Sequence, residues 1–199
     1  MTTIMEQLRK ETAEDHDQIE QNDYAKAIMN HTLTAAEYQA YLEKFHGFIQ
    51  PIEQQIAQLD GVQELGIDMK HRAKTPLLEQ DLAFISSNRQ QIPICADIPK
   101  IASTEQLLGY LYVIEGSTLG GQIITRKLRD HLSLEPGAGL SYFNAYGQDT
   151  RTQWKELSET MNTAVEAGAD REVIVDTAKE TFRLLNQWLI SSHTVGGQL

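Results

Sequence analysis

The chain has 199 residues, 41% of them hydrophobic and 23% charged, the make-up of one ordinary globular domain and not of a disordered or fibrous chain. Seventeen Lys and Arg against 28 Asp and Glu leave a net charge of −11, which argues against nucleic acid or an anionic membrane as the main partner. The lone cysteine, Cys95, excludes an internal disulfide and a cysteine-cluster metal site, and with no signal-like start and no apolar run of membrane-spanning length the chain reads as cytoplasmic.

Apolar spacing is helical nearly throughout. Ile4, Leu8, Thr12, His16 and Ile19 share one side of a first helix, started by a capping box of Thr3 and Glu6. A second helix starts at Thr34, with Glu37 as its capping partner. It buries Tyr38, Tyr41, Leu42, Phe45, Phe48, Ile49, Ile52 and Ile56 and should kink at Pro51. A third helical stretch covers roughly 74–87, and IPICADIP after it reads as a connector. Ser103 with Gln106 caps a long helix reaching about Leu132. A loop with Pro136, Gly137 and Gly139 follows, then helices over about 150–167 and 170–192. No period-2 strand pattern and no internal repeat is present, so the fold class is all-α, in a single domain over 1–199 whose last residues, 191–199, are expected to fray.

Inside the long helix stands EGSTLGGQ, with three glycines in eight residues. In an exposed helix interior each glycine costs about 1 kcal/mol relative to alanine, so some other demand must offset the loss. A loop between two helices is one reading. Against it, Ile123, Ile124 and Leu128 continue the spacing of Leu107, Leu111 and Ile114 without a change of period. The spacing also fits neither phosphate-binding glycine pattern. Gly116 and Gly120, four apart, strip one helical face of side chains, which would admit a flat ligand to the backbone.

A flat ligand directs attention to histidine. None of His16, His31, His46, His71, His131 and His193 forms an HxxxH pair, and a lone histidine on an apolar face is more often a hydrogen-bonded core residue. His16 differs in having Glu20 one turn on, where a carboxylate can orient the imidazole of a metal ligand.

LRKETAEDHDQIE resembles the proximal helix of heme oxygenases, and YVIEGSTLGGQII resembles their glycine-rich distal helix. LEQDLAF at 78–84, GLSYF at 139–143 and AKETFRLLNQWL near the C-terminus resemble further segments of that family in the same order, so the likeness spans nearly the whole chain. The resemblance implies a heme oxygenase-like multi-helix bundle that cleaves heme to biliverdin, CO and Fe(II) with O2 and electrons from outside, heme being both cofactor and substrate. It implies His16 as the axial iron ligand with Glu20 beside it, and Gly116, Ser117, Gly120 and Gly121 on the distal face. Where animal-type members carry an acidic residue after the first distal glycine, this chain has Ser117, which with backbone carbonyls is expected to hold the distal water. Arg9 and Tyr112 are the expected propionate partners, with Lys155 a poorer match. The chain has no flavin, nicotinamide or iron-sulfur motif, so a ferredoxin or flavoprotein reductase is the expected electron donor.

Three other readings stand beside this one. A heme-binding or heme-transfer protein would keep the pocket without turnover. A di-iron oxidase on a helical bundle would need two Glu-x-x-His motifs, and the chain offers Glu43 to His46 with only Asp68 to His71 as a second. A cysteine hydrolase would need Cys95, which lies in the connector with no histidine nearby in sequence.

Overall fold

The computed structural model describes residues 2–86 and 91–191, and among these every regular element is a helix, with only isolated bridge pairs at Glu135. The fold class is all-α, as the periodicity requires. Ser87, Ser192 and His193 lie outside the described residues.

The first stripe forms two helices, α1 (Ile4–Glu11) and α2 (Ala13–Glu20). Both halves of the Thr3 and Glu6 capping box are made. The break falls at Thr12, with φ −102° and ψ 4°. Its buried hydroxyl donates to the Leu8 carbonyl at 2.8 Å, a back-bond of the kind that bends helices. Periodicity carries no sign of that bend, because Thr12 still occupies the buried stripe. α3 (Asp23–Met29) has no counterpart among the sequence expectations; the Asn22 side chain caps it by accepting from the Ala25 N–H at 3.0 Å.

α4 (Ala35–Ile56) buries the expected stripe and runs through Pro51. Proline there withholds the N–H that would reach the Gly47 carbonyl one turn back. That carbonyl accepts from the Cys95 N–H at 2.9 Å instead, which straps the irregular connector 91–102 onto the helix. Glycine at 47 makes the approach feasible, since a Cβ there would stand 2.1 Å from the Pro93 carbonyl oxygen. Gly47→Ala is therefore expected to push the strap off and lower stability by about 1–3 kcal/mol; an unchanged urea midpoint would contradict the strap.

A short helix α5 (Met69–Arg72) leads into α6 (Thr75–Ile85), and α7 (Thr104–Leu132) is the 29-residue spine. α10 (Arg171–Ile190) crosses α7 at Gly109, where a Cβ would meet the Ile174 carbonyl oxygen at 2.4 Å. Before α10 come α8 (Ser141–Asn144) and α9 (Thr150–Glu166). Asp81 of α6, fully buried, accepts from the Ser141 and Tyr142 N–H groups at 2.7 and 2.8 Å. LEQDLAF and GLSYF thus meet through one carboxylate that caps α8 and aims Tyr142 and Phe143. Lys44 of α4 donates to the Trp188 and Ser191 carbonyls at 2.7 and 2.8 Å, and of the tail expected over 191–199 all but Ser191 lies outside the described residues.

Candidate functional site

Residues of α2, α3, α4, α7, α8, α9 and α10 line a cavity of about 480 Å³. Of the five described histidines, only His16 reaches this lining. Its ring stands edge-on to Phe182 at 5.9 Å between centroids and is 55% exposed. The Glu20 Oε1 lies 3.7 Å from His16 Nε2, close enough for charge attraction and longer than a hydrogen bond.

The other histidines are accounted for elsewhere. His46 is buried in α4 with Nε2 3.7 Å from Glu79, His71 packs on Tyr146, and His31 meets His131 edge-on. Asp68 caps α5 through the Lys70 and His71 N–H groups, and Glu43, His46, Asp68 and His71 form no cluster with metal-ligand spacing among the described residues. The single histidine and carboxylate cluster with metal-ligand spacing among the described residues is His16, Asp17 and Glu20, all exposed, and of these His16 and Glu20 line the cavity. Cys95 is buried, its thiol pushed up by burial, and it donates to the Asp97 carbonyl at 3.3 Å. A wider groove of about 930 Å³ beside Pro51 and Lys100 lies open on the surface and carries no histidine.

The three glycines of EGSTLGGQ on α7 answer different demands. A Cβ at Gly120 would meet nothing within 4 Å, so this position opens onto the cavity. At Gly116 it would touch the Trp154 ring at 3.4 Å, an ordinary contact. At Gly121 it would come within 2.4 Å of the Phe143 carbonyl oxygen, so that glycine is required by the packing of α7 on α8 even though it also lines the cavity. Ser117 donates to the Ile114 carbonyl at 2.7 Å, which leaves its oxygen as an acceptor toward the cavity. Leu119 and Ile123, 38% and 47% exposed, form an apolar rim on the same helix.

Tyr112 is half-buried against Trp154, and burial raises its phenol while Thr12 and the Arg9 guanidinium act in the opposite direction. Arg9 is exposed and lies beside Tyr112 without reaching the lining itself. Lys155 is 76% exposed and pairs with Glu159 at 3.5 Å, away from the cavity.

A buried ionic cluster behind the cavity has no precursor in the sequence pattern. Glu115, 1% exposed, accepts from Arg72 at 2.8 Å and from Lys74 at 2.6 Å, and the Tyr146 hydroxyl lies 2.9 Å from both of its oxygens. Lys74 also donates to the Arg72 carbonyl at 2.7 Å and to Tyr146 at 2.9 Å, so its three protons have three acceptors. Burial pulls the ammonium below its ordinary range, and the Glu115 carboxylate opposes that. The partners lie 41 and 43 residues apart in sequence, too far for any helical spacing to flag.

The comparisons with known proteins agree on one family. A family model described as heme oxygenase matches residues 2–191. A heme oxygenase of Xanthomonas campestris is 29% identical over 153 residues, covering 75% of this chain and 87% of its own. Among solved structures, the heme oxygenase of Leptospira interrogans superposes with a TM-score of 0.76 at 19% identity, covering 94% of this chain and 98% of its own. Heme oxygenase-1 of the cyanobacterium Synechocystis, in complex with heme, gives 0.74 at 20% identity, with 94% and 91% covered. The NO- and CO-bound heme oxygenase of Neisseria meningitidis gives 0.69 at 15%, with 98% and 96% covered.

Proposed function

Because this chain belongs to the heme oxygenase family, we propose that its cavity holds heme between α2 and α7 and that the protein opens the heme ring to biliverdin with release of CO and Fe(II). The observation that carries the reading is the lining itself, in which His16, the one cavity histidine among the described residues, and the Cβ-free face of Gly116 and Gly120 occupy different helices of the same apolar slot. The residues fit the group. An imidazole is a suitable iron ligand, the rim of Leu119 and Ile123 is apolar surface that a flat macrocycle would cover, and Gly120 leaves room for ring and backbone to approach. Heme bound there supplies an iron centre able to take up O2 and electrons, so that the ring is substrate as well as cofactor.

His16 would hold the iron from α2, with the Glu20 carboxylate, 3.7 Å from its ring, placed to orient the imidazole. Gly116 and Gly120 let the α7 backbone approach the reacting face and restrict how a small ligand can lie there. The Ser117 oxygen, its own proton committed to Ile114, accepts from a water in that space and keeps it in place as a proton source. Tyr112, which lines the cavity, would meet the carboxylate edge of heme, with Arg9 outside the lining adding positive charge near it. Electrons come from a ferredoxin or a flavoprotein reductase, since the chain carries no redox motif of its own.

One equivalent of hemin, followed by ascorbate in air with catalase present, tests the reading. Growth of biliverdin absorption as the Soret band decays is the expected result. A stable histidine-ligated spectrum that never converts would instead identify a heme carrier, a reading favoured only by the commitment of the Ser117 proton to Ile114. His16→Ala is expected to lose the histidine-ligated spectrum and to slow conversion roughly 100-fold, with partial rescue by added imidazole. A wild-type spectrum in that variant would remove His16 from the iron.

A further inference from the structure

Resting on the heme reading above, we propose that Trp154 is a specificity-determining residue that fixes where along α7 the macrocycle seats, and through that seating which meso carbon is attacked. Tyr112, Gly116 and Gly120 recur every four residues and so follow one stripe of α7, about 6 Å apart along its axis. All three line the cavity, as does Trp154 of α9. The stripe is not equally open along its length. A Cβ at Gly116 would stand 3.4 Å from both Cζ3 and Cη2 of Trp154, and the same indole packs on the Tyr112 ring at 5.7 Å between centroids. A Cβ at Gly120 would meet nothing within 4 Å. The outer atoms of the indole therefore bound the bare face at Gly116, and a flat ring sliding along α7 toward Tyr112 stops against them.

Trp154 can act as a stop because α9 is held in place. Leu157 and Met161, both fully buried, follow it at i+3 and i+7, so the indole belongs to the face of α9 that packs inward. Rotating α9 to withdraw the ring would expose both of them. Gln122, the last residue of EGSTLGGQ, ties the start of α9 to the helix that carries the glycines. Its side-chain amide donates to the Asn144 carbonyl at 2.8 Å and to Thr150 Oγ1 at 3.3 Å, and Thr150 lies one turn before Trp154. Stripe and stop are thus fixed relative to each other. The meso carbons of heme differ little in intrinsic environment, so an apolar wall selects among them by contact alone. Without the indole, roughly one further helical turn of the stripe becomes free, which is room for a second seating.

The test uses the full chain with one equivalent of hemin. Heme-methyl proton resonances of the ferric cyanide complex report the seating without any turnover, and the biliverdin isomers formed with ascorbate report the carbon attacked. Trp154→Ala is expected to add heme-methyl signals absent from the wild type and to shift the isomer ratio by about tenfold or more, the scale on which a lost contact alters selection in an apolar pocket. Leu157→Ala, on the same buried face of α9 but outside the lining, should lower stability and keep the wild-type signals. A wild-type methyl pattern in Trp154→Ala would overturn the proposal, and so would the same new signals in Leu157→Ala, because the effect would then come from displacement of α9. Should Trp154→Ala fail to fold, Trp154→Leu decides by the same two readouts. Failure of wild-type protein to give a histidine-ligated spectrum with hemin would count against the heme reading itself and is seen before either readout is taken.

Discussion

Glu115→Ala is expected to cost the protein about 3–5 kcal/mol, because it leaves Arg72 and Lys74 buried without the carboxylate they share. The residue is 1% exposed and its two partners are 7% and 2% exposed, so water cannot replace the lost acceptor cheaply. Lys74 can shed its proton, which softens the penalty. Arg72 cannot, and its remaining bond to the Gln153 carbonyl at 3.3 Å is too long to compensate. At roughly 2–4 °C per kcal/mol for a chain of this length, the thermal midpoint should fall by about 6–20 °C. Tyr146→Phe, which removes a neutral hydroxyl from the same cluster, should cost only about 1 kcal/mol. Differential scanning calorimetry separates the two, and a Glu115→Ala midpoint no lower than that of Tyr146→Phe would show that the cluster does not behave as a buried ion pair.

Gly121→Ala and Gly120→Ala, adjacent on one helix, are expected to move stability in opposite directions. At 121 the new methyl would stand 2.4 Å from the Phe143 carbonyl oxygen, which is backbone and cannot step aside without shifting α8, so a loss of about 1–3 kcal/mol follows. At 120 the methyl meets nothing within 4 Å, and the better helix propensity of alanine should stabilise by up to about 1 kcal/mol. Enlarging that side chain converts the structural effect into a functional one. Gly120→Leu should fold and still bind hemin through His16, yet fill the space over the reacting face and abolish biliverdin formation. Urea midpoints for the alanine pair and hemin turnover for the leucine variant read these effects. Equal midpoints at 120 and 121 would refute the packing role of Gly121, and normal biliverdin yield from Gly120→Leu would refute the role of the backbone at 120.

These two positions also show what a sequence pattern can carry. Three glycines in a helix signal that some demand exceeds the propensity loss, but the pattern groups all three together. Which of them serves a ligand depends on what stands opposite each Cβ position, and that is Trp154 for one, open cavity for another and the Phe143 backbone for the third. His16 and Glu20 were legible because they sit one turn apart on a single helix, inside a motif that resembles the proximal helix of the family. The Lys74, Arg72 and Glu115 cluster was not, since its members come from segments separated by more than forty residues and look like ordinary surface charges in one dimension.

The sequence by itself determined the helical class, the capped starts at Thr3, Thr34 and Ser103 and the buried stripe of α4, because each depends on residues within one or two turns. It also pointed to the family through two motifs read together. Tertiary structure alone decided that the Cys95 N–H compensates Pro51, that Asp81 holds α8, that Thr12 bends the first stripe and that Lys74 enters the cavity wall. The physical reason is common to these cases apart from Thr12. Each is a polar group whose partner is supplied by a remote segment, and burial makes such partners obligatory without leaving any periodic trace in the chain.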